Sequence, residues 1–96
     1  MIEHLNKLFD SRIRIGIMSA LMVNDTISFN DLKTLLDVTD GNLATHLKTL
    51  EENNYLKVQK GFIGKKTNTT YTITRVGETA FRNHLQALEK IINGLG

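Results

Sequence analysis

Residues 39–77 read TDGNLATHLKTLEENNYLKVQKGFIGKKTNTTYTITRVG, and the spacing of the apolar residues changes within this stretch. The apolar residues of its first part follow the i, i+4, i+7 rule for one buried helix face, and they are Leu43, Leu47 and Leu50. This spacing predicts a helix that is capped by Thr39 or Asp40 and runs to about Asn53.

Beyond Asn54 the apolar residues alternate with polar ones, which is the period of a β-strand. One run contains Leu56 and Val58, and the other contains Tyr71 and Ile73. The two runs predict an antiparallel hairpin whose loop extends from Gly64 to Thr69. The stretch as a whole therefore predicts a helix followed at once by a β-hairpin.

Positive charge is concentrated in the predicted hairpin. Residues 53–77 contain no Asp or Glu, and they contain five cations, which are Lys57, Lys60, Lys65, Lys66 and Arg75. The preceding 52 residues carry five cations and eight acids, a net charge of −3, and the last nineteen residues carry two of each. The total of +2 thus conceals a segregated charge distribution. A concentrated positive segment attracts phosphate groups through counterion release.

The remaining elements follow from capping residues and apolar spacing. Before the quoted stretch, we expect a short helix over residues 2–9, followed by a second helix that is capped by Ser11 and runs to about Val23. A turn at 24–26 and a short strand at 27–29 come next. A third helix over 31–36, capped by Asn30, then leads into a tight turn at 37–39. After the hairpin, we expect a long last helix that is capped by Thr74. Its apolar residues form a heptad-like seam, which consists of Phe81, Leu85, Leu88, Ile92 and Leu95.

Two short helices joined by a three-residue turn predict a helix–turn–helix, with residues 40–53 as its recognition helix. An α-helix fits the DNA major groove when its outward face carries short polar side chains that reach base edges. The face opposite the leucines meets this condition with Gly41, Asn42, Thr45, Lys48, Thr49 and Glu52. Gly41 permits close approach of the backbone. An ordinary solvated helix shows a similar face, so the basic hairpin that follows is what favours DNA.

Two motifs, TDGNLATHLKTLEENNYL and TTYTITRVGETAF, are the most specific part of a resemblance that covers residues 11–81. This segment resembles the MarR/ArsR-type winged-helix transcriptional regulators, most closely the small members of that group. The resemblance implies a recognition helix in the major groove and a wing on flanking DNA. The DNA contacts that it implies are Asn42, Thr45, His46, Lys48 and Thr49 in the helix and Lys65, Lys66 and Thr67 in the wing.

The wing departs from the family pattern, because Lys65-Lys66-Thr67-Asn68 stands where related wings often carry arginine and proline. Lysine binds phosphate as a point charge and lacks the forked hydrogen bonding of arginine. The sequence therefore favours phosphate anchoring by this wing over specific reading of the minor groove. His46 lies between the buried and exposed faces, and both a local hydrogen bond and a phosphate contact remain open for it.

The predicted fold class is α+β, a winged helix–turn–helix with a three-helix core, a β-hairpin wing and dimerisation helices at both termini. The resemblance implies a homodimer. The apolar seam of the last helix indicates the same, because only its first part can pack on the protomer's own core. The predicted dimer interface consists of Ile2, Leu5, Leu8, Leu85, Leu88, Ile92 and Leu95.

The expected function is sequence-specific binding of double-stranded DNA in the control of transcription. Two recognition helices related by a two-fold axis would read an inverted repeat with half-sites about 34–36 Å apart. A repressor is favoured over an activator, because the chain has no spare surface for an activating domain. The alternative is a winged-helix module for protein–protein interaction, in which the basic wing binds an acidic protein surface and reads no bases.

The amino-acid composition argues against several other classes of function. Ninety-six residues predict a single domain, 1–96. The absence of cysteine removes disulfides, thiolate metal sites and thiol catalysis, and it suits the cytoplasm. No apolar run predicts a membrane span or a signal peptide. No nucleophile–base motif or phosphate-binding glycine loop occurs, so neither an enzyme nor a cofactor is expected. A histidine–carboxylate metal site shared between subunits and a small-molecule effector both remain open.

Overall fold

The computed structural model describes residues 2–94 as a helical body from which a β-hairpin projects. Its elements are two 3₁₀ turns at Ile2–His4 and Lys7–Phe9, α1 at Arg12–Val23, β1 at Ile27–Ser28, α2 at Phe29–Leu36, α3 at Asp40–Glu52, β2 at Leu56–Ile63, β3 at Lys66–Ile73 and α4 at Arg75–Ile92. The strands form one antiparallel sheet in the order β1-β3-β2. The predicted α+β class, with a helix–turn–helix before a hairpin wing, is confirmed.

Each α-helix begins at a hydroxyl side chain that accepts a hydrogen bond from a backbone N–H of the first turn. These caps are Ser11, Ser28, Thr39 and Thr74. The prediction of Asn30 as the cap of α2 was wrong, because Ser28 Oγ accepts from the Asp31 N–H at 3.1 Å and the helix already begins at Phe29. Phe29 therefore belongs to the helix and not to the preceding strand.

The prediction of an N-terminal helix over residues 2–9 was also wrong. Asn6 interrupts the segment with an extended backbone, and its Oδ1 accepts from the Leu8 N–H at 2.9 Å. The Asn6 backbone N–H donates to His84 Nδ1 at 3.0 Å, and its Nδ2 donates to the Tyr55 hydroxyl at 2.9 Å. These tertiary bonds hold the terminus as two short turns against α4. One of the two predicted dimerisation helices is therefore absent.

The core forms between α1, α2, α3 and the inner ends of the hairpin strands. The three leucines of α3 are buried as predicted, and they join a cluster with Phe9, Ile17, Met18, Ala20, Leu21, Leu32, Leu56, Tyr71 and Phe81. The burial of large aliphatic side chains stabilises such a core by roughly 1.5–3 kcal/mol each. Because one face of α3 is fixed in this cluster, its opposite face lies at the surface.

The hairpin loop is shorter than predicted. Ile63 pairs with Lys66, so the strands are joined by the two residues Gly64 and Lys65 and not by a loop over residues 64–69. Gly64 has a φ of 61°, a left-handed conformation that glycine adopts without steric cost. Thr67 is consequently a strand residue that pairs with Phe62. The longer strands carry the basic tip away from the core.

The last helix buries one face and exposes the predicted seam. The residues buried against the protomer are Gly77, Phe81, His84 and Ala87. Of the predicted interface, Leu85, Leu88 and Ile92 are exposed, whereas Leu95 lies outside the described residues. At the other terminus Ile2 is exposed, and Leu5 and Leu8 are half-buried. The seam beyond Phe81 is thus left uncovered by its own protomer.

Gly77 allows α4 to cross the end of the hairpin at close range. A Cβ atom at this position would lie 2.1 Å from the backbone oxygen of Tyr55. We predict that Gly77→Ala destabilises the fold by about 1–3 kcal/mol, because the backbone must shift to accept a methyl group. Gly41→Ala is the matched control, since nothing lies within 4 Å of its Cβ position. It should stabilise α3 by roughly 0.5–1 kcal/mol. Equal denaturation midpoints for the two variants would contradict this.

The buried ring of His84 predicts a loss of stability in acid. Burial lowers the pKa of His84 below its ordinary 6.5, with a smaller opposing effect from Asp10. As the pH falls through about 6.5, the unfolded chain binds a proton that the folded chain does not bind, so stability falls with it. In denaturant titrations from pH 8 to 5, His84→Gln should flatten this dependence and His4→Gln, at an exposed site, should not. Parallel profiles for wild type and His84→Gln would contradict the assignment.

Candidate nucleic-acid interface

The outward face of α3 presents the polar residues that the sequence predicted. Gly41, Asn42, Thr45 and Lys48 are exposed, and Thr49 and His46 are half-buried. Within residues 2–94 the Asn42 amide and the Lys48 ammonium group make no hydrogen bond or ion pair with the protein. Both side chains are therefore available to a ligand. Gly41 leaves open space beside the first turn of the helix.

The N-terminus of α3 is fixed by two contacts. Thr39 Oγ1 accepts from the Asn42 N–H at 3.2 Å, and Lys33 Nζ lies 2.8 Å from Asp40 Oδ1, which links α2 to α3 across the turn. Asp37 has a φ of 52°, which allows the sharp change of direction between the two helices. The helix–turn–helix geometry is thus determined by local contacts as well as by the leucine core.

Two of the predicted contact residues already use their hydroxyl protons. Thr45 Oγ1 donates to the Gly41 carbonyl at 2.9 Å, and Thr49 Oγ1 donates to the Thr45 carbonyl at 3.2 Å. Each hydroxyl then offers only acceptor lone pairs outward, together with its methyl group. These side chains can accept a hydrogen bond from a base amino group or contact a thymine methyl group. The sequence did not indicate this restriction.

His46 is held by a residue that the sequence analysis missed. Arg14 Nη1 in α1 lies 2.9 Å from His46 Nδ1, and Arg14 Nε donates to the Leu8 carbonyl. Burial, and to a smaller extent the neighbouring Arg14 guanidinium, lowers the pKa of His46. The contact joins positions 32 residues apart in the chain, and no spacing rule within either helix could have indicated it.

The wing carries its charge and its apolar groups at the same exposed tip. Lys65, Lys66 and Thr67 are exposed, as are the apolar side chains Phe62 and Ile63. Alternation along β2 places Phe62 and Ile63 on opposite faces of the hairpin. With no acid between residues 53 and 77, the tip is a cationic projection of the kind that attracts phosphate groups.

A polar cleft of about 210 Å³ separates the start of α2 from β3. It is lined by Phe29, Asn30, Thr67, Asn68 and Thr69. Asn30 and Asn68 were not predicted as site residues, because Asn30 was interpreted as a cap and Asn68 as part of a loop. The cleft therefore lies where the first helix of the helix–turn–helix meets the wing.

Within residues 2–94, no group of three or more His, Asp or Glu side chains is arranged to hold a metal ion. No helix in the described part of the chain is long and apolar enough to cross a membrane.

Comparison with known sequences gives two matches. A family model described as a winged helix DNA-binding domain matches residues 13–92. The uncharacterized protein MJ0432 of Methanocaldococcus jannaschii is 39% identical over 79 residues, which are 82% of this chain and 86% of that protein. The segment that matches the family model includes the helix–turn–helix, the wing and α4.

Solved structures share the same fold. A transcriptional regulator homologue from Pyrococcus horikoshii OT3 is 33% identical, with a TM-score of 0.80 and coverage of 97% of each chain. A mutant MarR from E. coli, whose structure is a complex with operator DNA, has a TM-score of 0.76 over 95% of this chain and 64% of that one. At 18% identity, this second likeness shows a common fold alone.

Proposed function

Because this chain belongs to the winged helix DNA-binding domain family, we propose that it is a transcriptional regulator that binds double-stranded DNA in a sequence-specific manner. The winged-helix resemblance predicted from residues 11–81 is confirmed by the match over residues 13–92. In the proposed complex α3 enters the major groove and the wing lies along flanking DNA. The contacts are the nine predicted residues, which are Gly41, Asn42, Thr45, His46, Lys48, Thr49, Lys65, Lys66 and Thr67.

One observation carries the proposal above the others. The exposed polar face of α3 and the acid-free wing lie on a single protomer and are joined by only the short segment between Glu52 and Leu56. Base readout needs hydrogen-bonding groups in the major groove, and register on the duplex needs cations at the phosphates. The chain supplies both in the order that a winged helix uses. We also propose that residues 1–96 act as one domain.

Assembly as a homodimer is the second part of the proposal. Leu85 and Leu88 are 44% and 36% exposed, and Ile92 is 81% exposed, so α4 presents an apolar stripe that the protomer does not cover. The exposed Ile2 and the half-buried Leu5 and Leu8 belong to the neighbouring terminus. A two-fold axis beside this stripe would pair the recognition helices and call for an inverted-repeat operator. We propose repression as the mode of control.

The second candidate function is a protein–protein module. The exposed Phe62 and Ile63 favour it, because apolar side chains beside lysines also suit an acidic protein surface. In that case duplex DNA would bind weakly and without sequence preference.

Selection of bound sequences from a random duplex pool tests the proposed function. We expect enrichment of one inverted repeat with half-sites about one helical turn apart. Asn42→Ala and Thr45→Ala should relax the preference at particular base pairs, at a cost of about 1–3 kcal/mol for a good base contact. A pool without enrichment would leave the protein–protein module as the better account.

The wing predicts the salt dependence of binding. Lys65→Ala/Lys66→Ala should weaken binding to selected and random duplexes by similar factors. Each lost phosphate contact should flatten the slope of log K against log salt by roughly 0.9. Lys7→Ala/Lys90→Ala removes the same charge from the terminal segments and should leave the slope nearly unchanged. Fluorescence titrations at several salt concentrations measure both variants, and identical slopes for them would place the wing away from the phosphates.

The apolar stripe of α4 predicts a monomeric variant. Leu88→Lys should dissociate the dimer, because it buries an unpaired charge at a cost of several kcal/mol. Operator affinity should fall with it, because two linked half-site contacts become one. The control is Gln86→Lys, which adds the same charge on a different face of the helix. Sedimentation velocity should give a monomer for the first variant and a dimer for the second. A wild-type chain that sediments as a monomer at tens of micromolar contradicts the assembly.

A further inference from the structure

The guanidinium group of Arg14 occupies a position between the N-terminal segment and the recognition helix. Its Nε donates to the carbonyl oxygen of Leu8, and its Nη1 lies 2.9 Å from Nδ1 of His46. Two of its three nitrogens are therefore engaged with separate parts of the protein. Its planar fork is suited to two acceptors at fixed directions.

This contact determines which nitrogen of His46 carries the proton. A guanidinium group has only donors, and it is not deprotonated in proteins. His46 Nδ1 must therefore accept, which places the proton of the neutral ring on Nε2. A second proton on Nδ1 would make this nitrogen a donor that faces the Arg14 donor. It would also place the positive imidazolium ring beside the positive guanidinium group. Burial and the Arg14 charge both lower the pKa of His46, in agreement with a neutral ring.

His46 lies among the residues proposed to contact DNA. It follows Asn42 by four positions and precedes Thr49 by three, so its side chain adjoins both on the helix surface. The hydrogen-bond directions of the two ring nitrogens diverge. With Nδ1 committed to Arg14, the ring of this half-buried residue keeps Nε2–H as its remaining polar group.

That group differs in kind from the neighbouring threonines. The hydroxyl protons of Thr45 and Thr49 are already donated to helix carbonyls, so these side chains offer acceptors. A fixed N–H beside them supplies the donor that a phosphate oxygen or the N7 and O6 atoms of guanine require. The other side-chain donors of this face are the Asn42 amide and the Lys48 ammonium group.

We propose that Arg14 is a positioning residue for DNA recognition, which holds His46 as a neutral ring with Nε2–H directed to an acceptor atom of the DNA. The proposal rests on the proposed function. Arg14 acts in it through His46 and makes no DNA contact of its own.

A double-mutant cycle with DNA affinity as its readout tests the proposal. Arg14→Met keeps an unbranched stem and removes both donors, and it should weaken binding to the selected duplex roughly two- to tenfold, the effect of one hydrogen bond. His46→Ala should weaken it at least as much. If Arg14 acts through His46, the double variant should bind no more weakly than His46→Ala. Arg12→Met is the charge-matched control on the same helix and should change affinity much less, since the contact with His46 is made by Arg14.

The dependence of each variant's DNA affinity on salt concentration and on DNA sequence distinguishes the possible roles of Arg14. Additive losses with a flatter salt slope would make Arg14 itself a phosphate contact and overturn the proposal. A loss confined to the selected duplex assigns Nε2–H to guanine, whereas equal losses on random duplex assign it to phosphate. Either result supports the positioning role.

A spectroscopic readout separates this proposal from the proposed function. Long-range ¹H–¹⁵N correlation spectra of the free protein at pH 7.5 should give the Nε2–H tautomer for His46 in wild type and a mixture of tautomers in Arg14→Met. An Nδ1–H tautomer in wild type would overturn the proposal even if DNA binds. The Nε2–H tautomer without any duplex binding would overturn the proposed function and the DNA role with it. If Arg14→Met does not fold, Arg14→Lys takes its place, because it retains the stem and the charge but loses the planar fork. The same double-mutant cycle with His46→Ala then tests the positioning role.

Discussion

The burial of three leucines on one side of α3 fixes the orientation of the helix that carries the proposed DNA contacts. Leu43, Leu47 and Leu50 are at most 2% exposed, and they pack in one cluster with side chains of α1 and α2. Interiors of this density resist rotation of a helix, because any rotation exposes leucine and buries polar groups. The polar face of α3 is therefore turned outward by the core. The chemistry of the proposed site is a consequence of this packing.

The positions of the wing and the last helix are fixed by contacts with the same part of the helical body. Tyr55 connects them, because its carbonyl oxygen accepts from the Thr74 N–H at 3.1 Å and lies where Gly77 leaves room for α4. Its hydroxyl accepts from Asn6, and its ring lies 5.7 Å from that of Phe9. The N-terminal segment, the hairpin and α4 thus meet at one residue. This arrangement sends the basic tip of the wing outward and leaves the apolar seam of α4 uncovered.

Periodicity and capping predicted most of the elements, and the errors occurred where tertiary contacts decide. The leucine spacing of α3, the alternation of the hairpin and the caps Ser11 and Thr74 depend on neighbours in sequence, and the structure has all of them. The N-terminal helix was wrong because Asn6 bonds to His84, 78 positions away. The wing loop was overestimated because threonine occurs in turns but also favours strands, and Thr67 and Thr69 lie in β3. The site residues could be proposed from their helix face, but the tautomer of His46 depends on Arg14, which only the folded chain brings near.

The salt dependence of binding to a random-sequence duplex would show whether the wing lies at DNA phosphates. If both protomers of a dimer place Lys65 and Lys66 at phosphates, the complex has four such contacts. At about 0.9 per contact, the slope of log K against log salt should be roughly −3.6 or steeper. Between 50 and 200 mM salt, this corresponds to a loss of about a hundredfold or more in affinity. We expect this steep decline for the wild-type chain. An affinity that does not change over this range, or no detectable binding at the lower salt concentration, would contradict it.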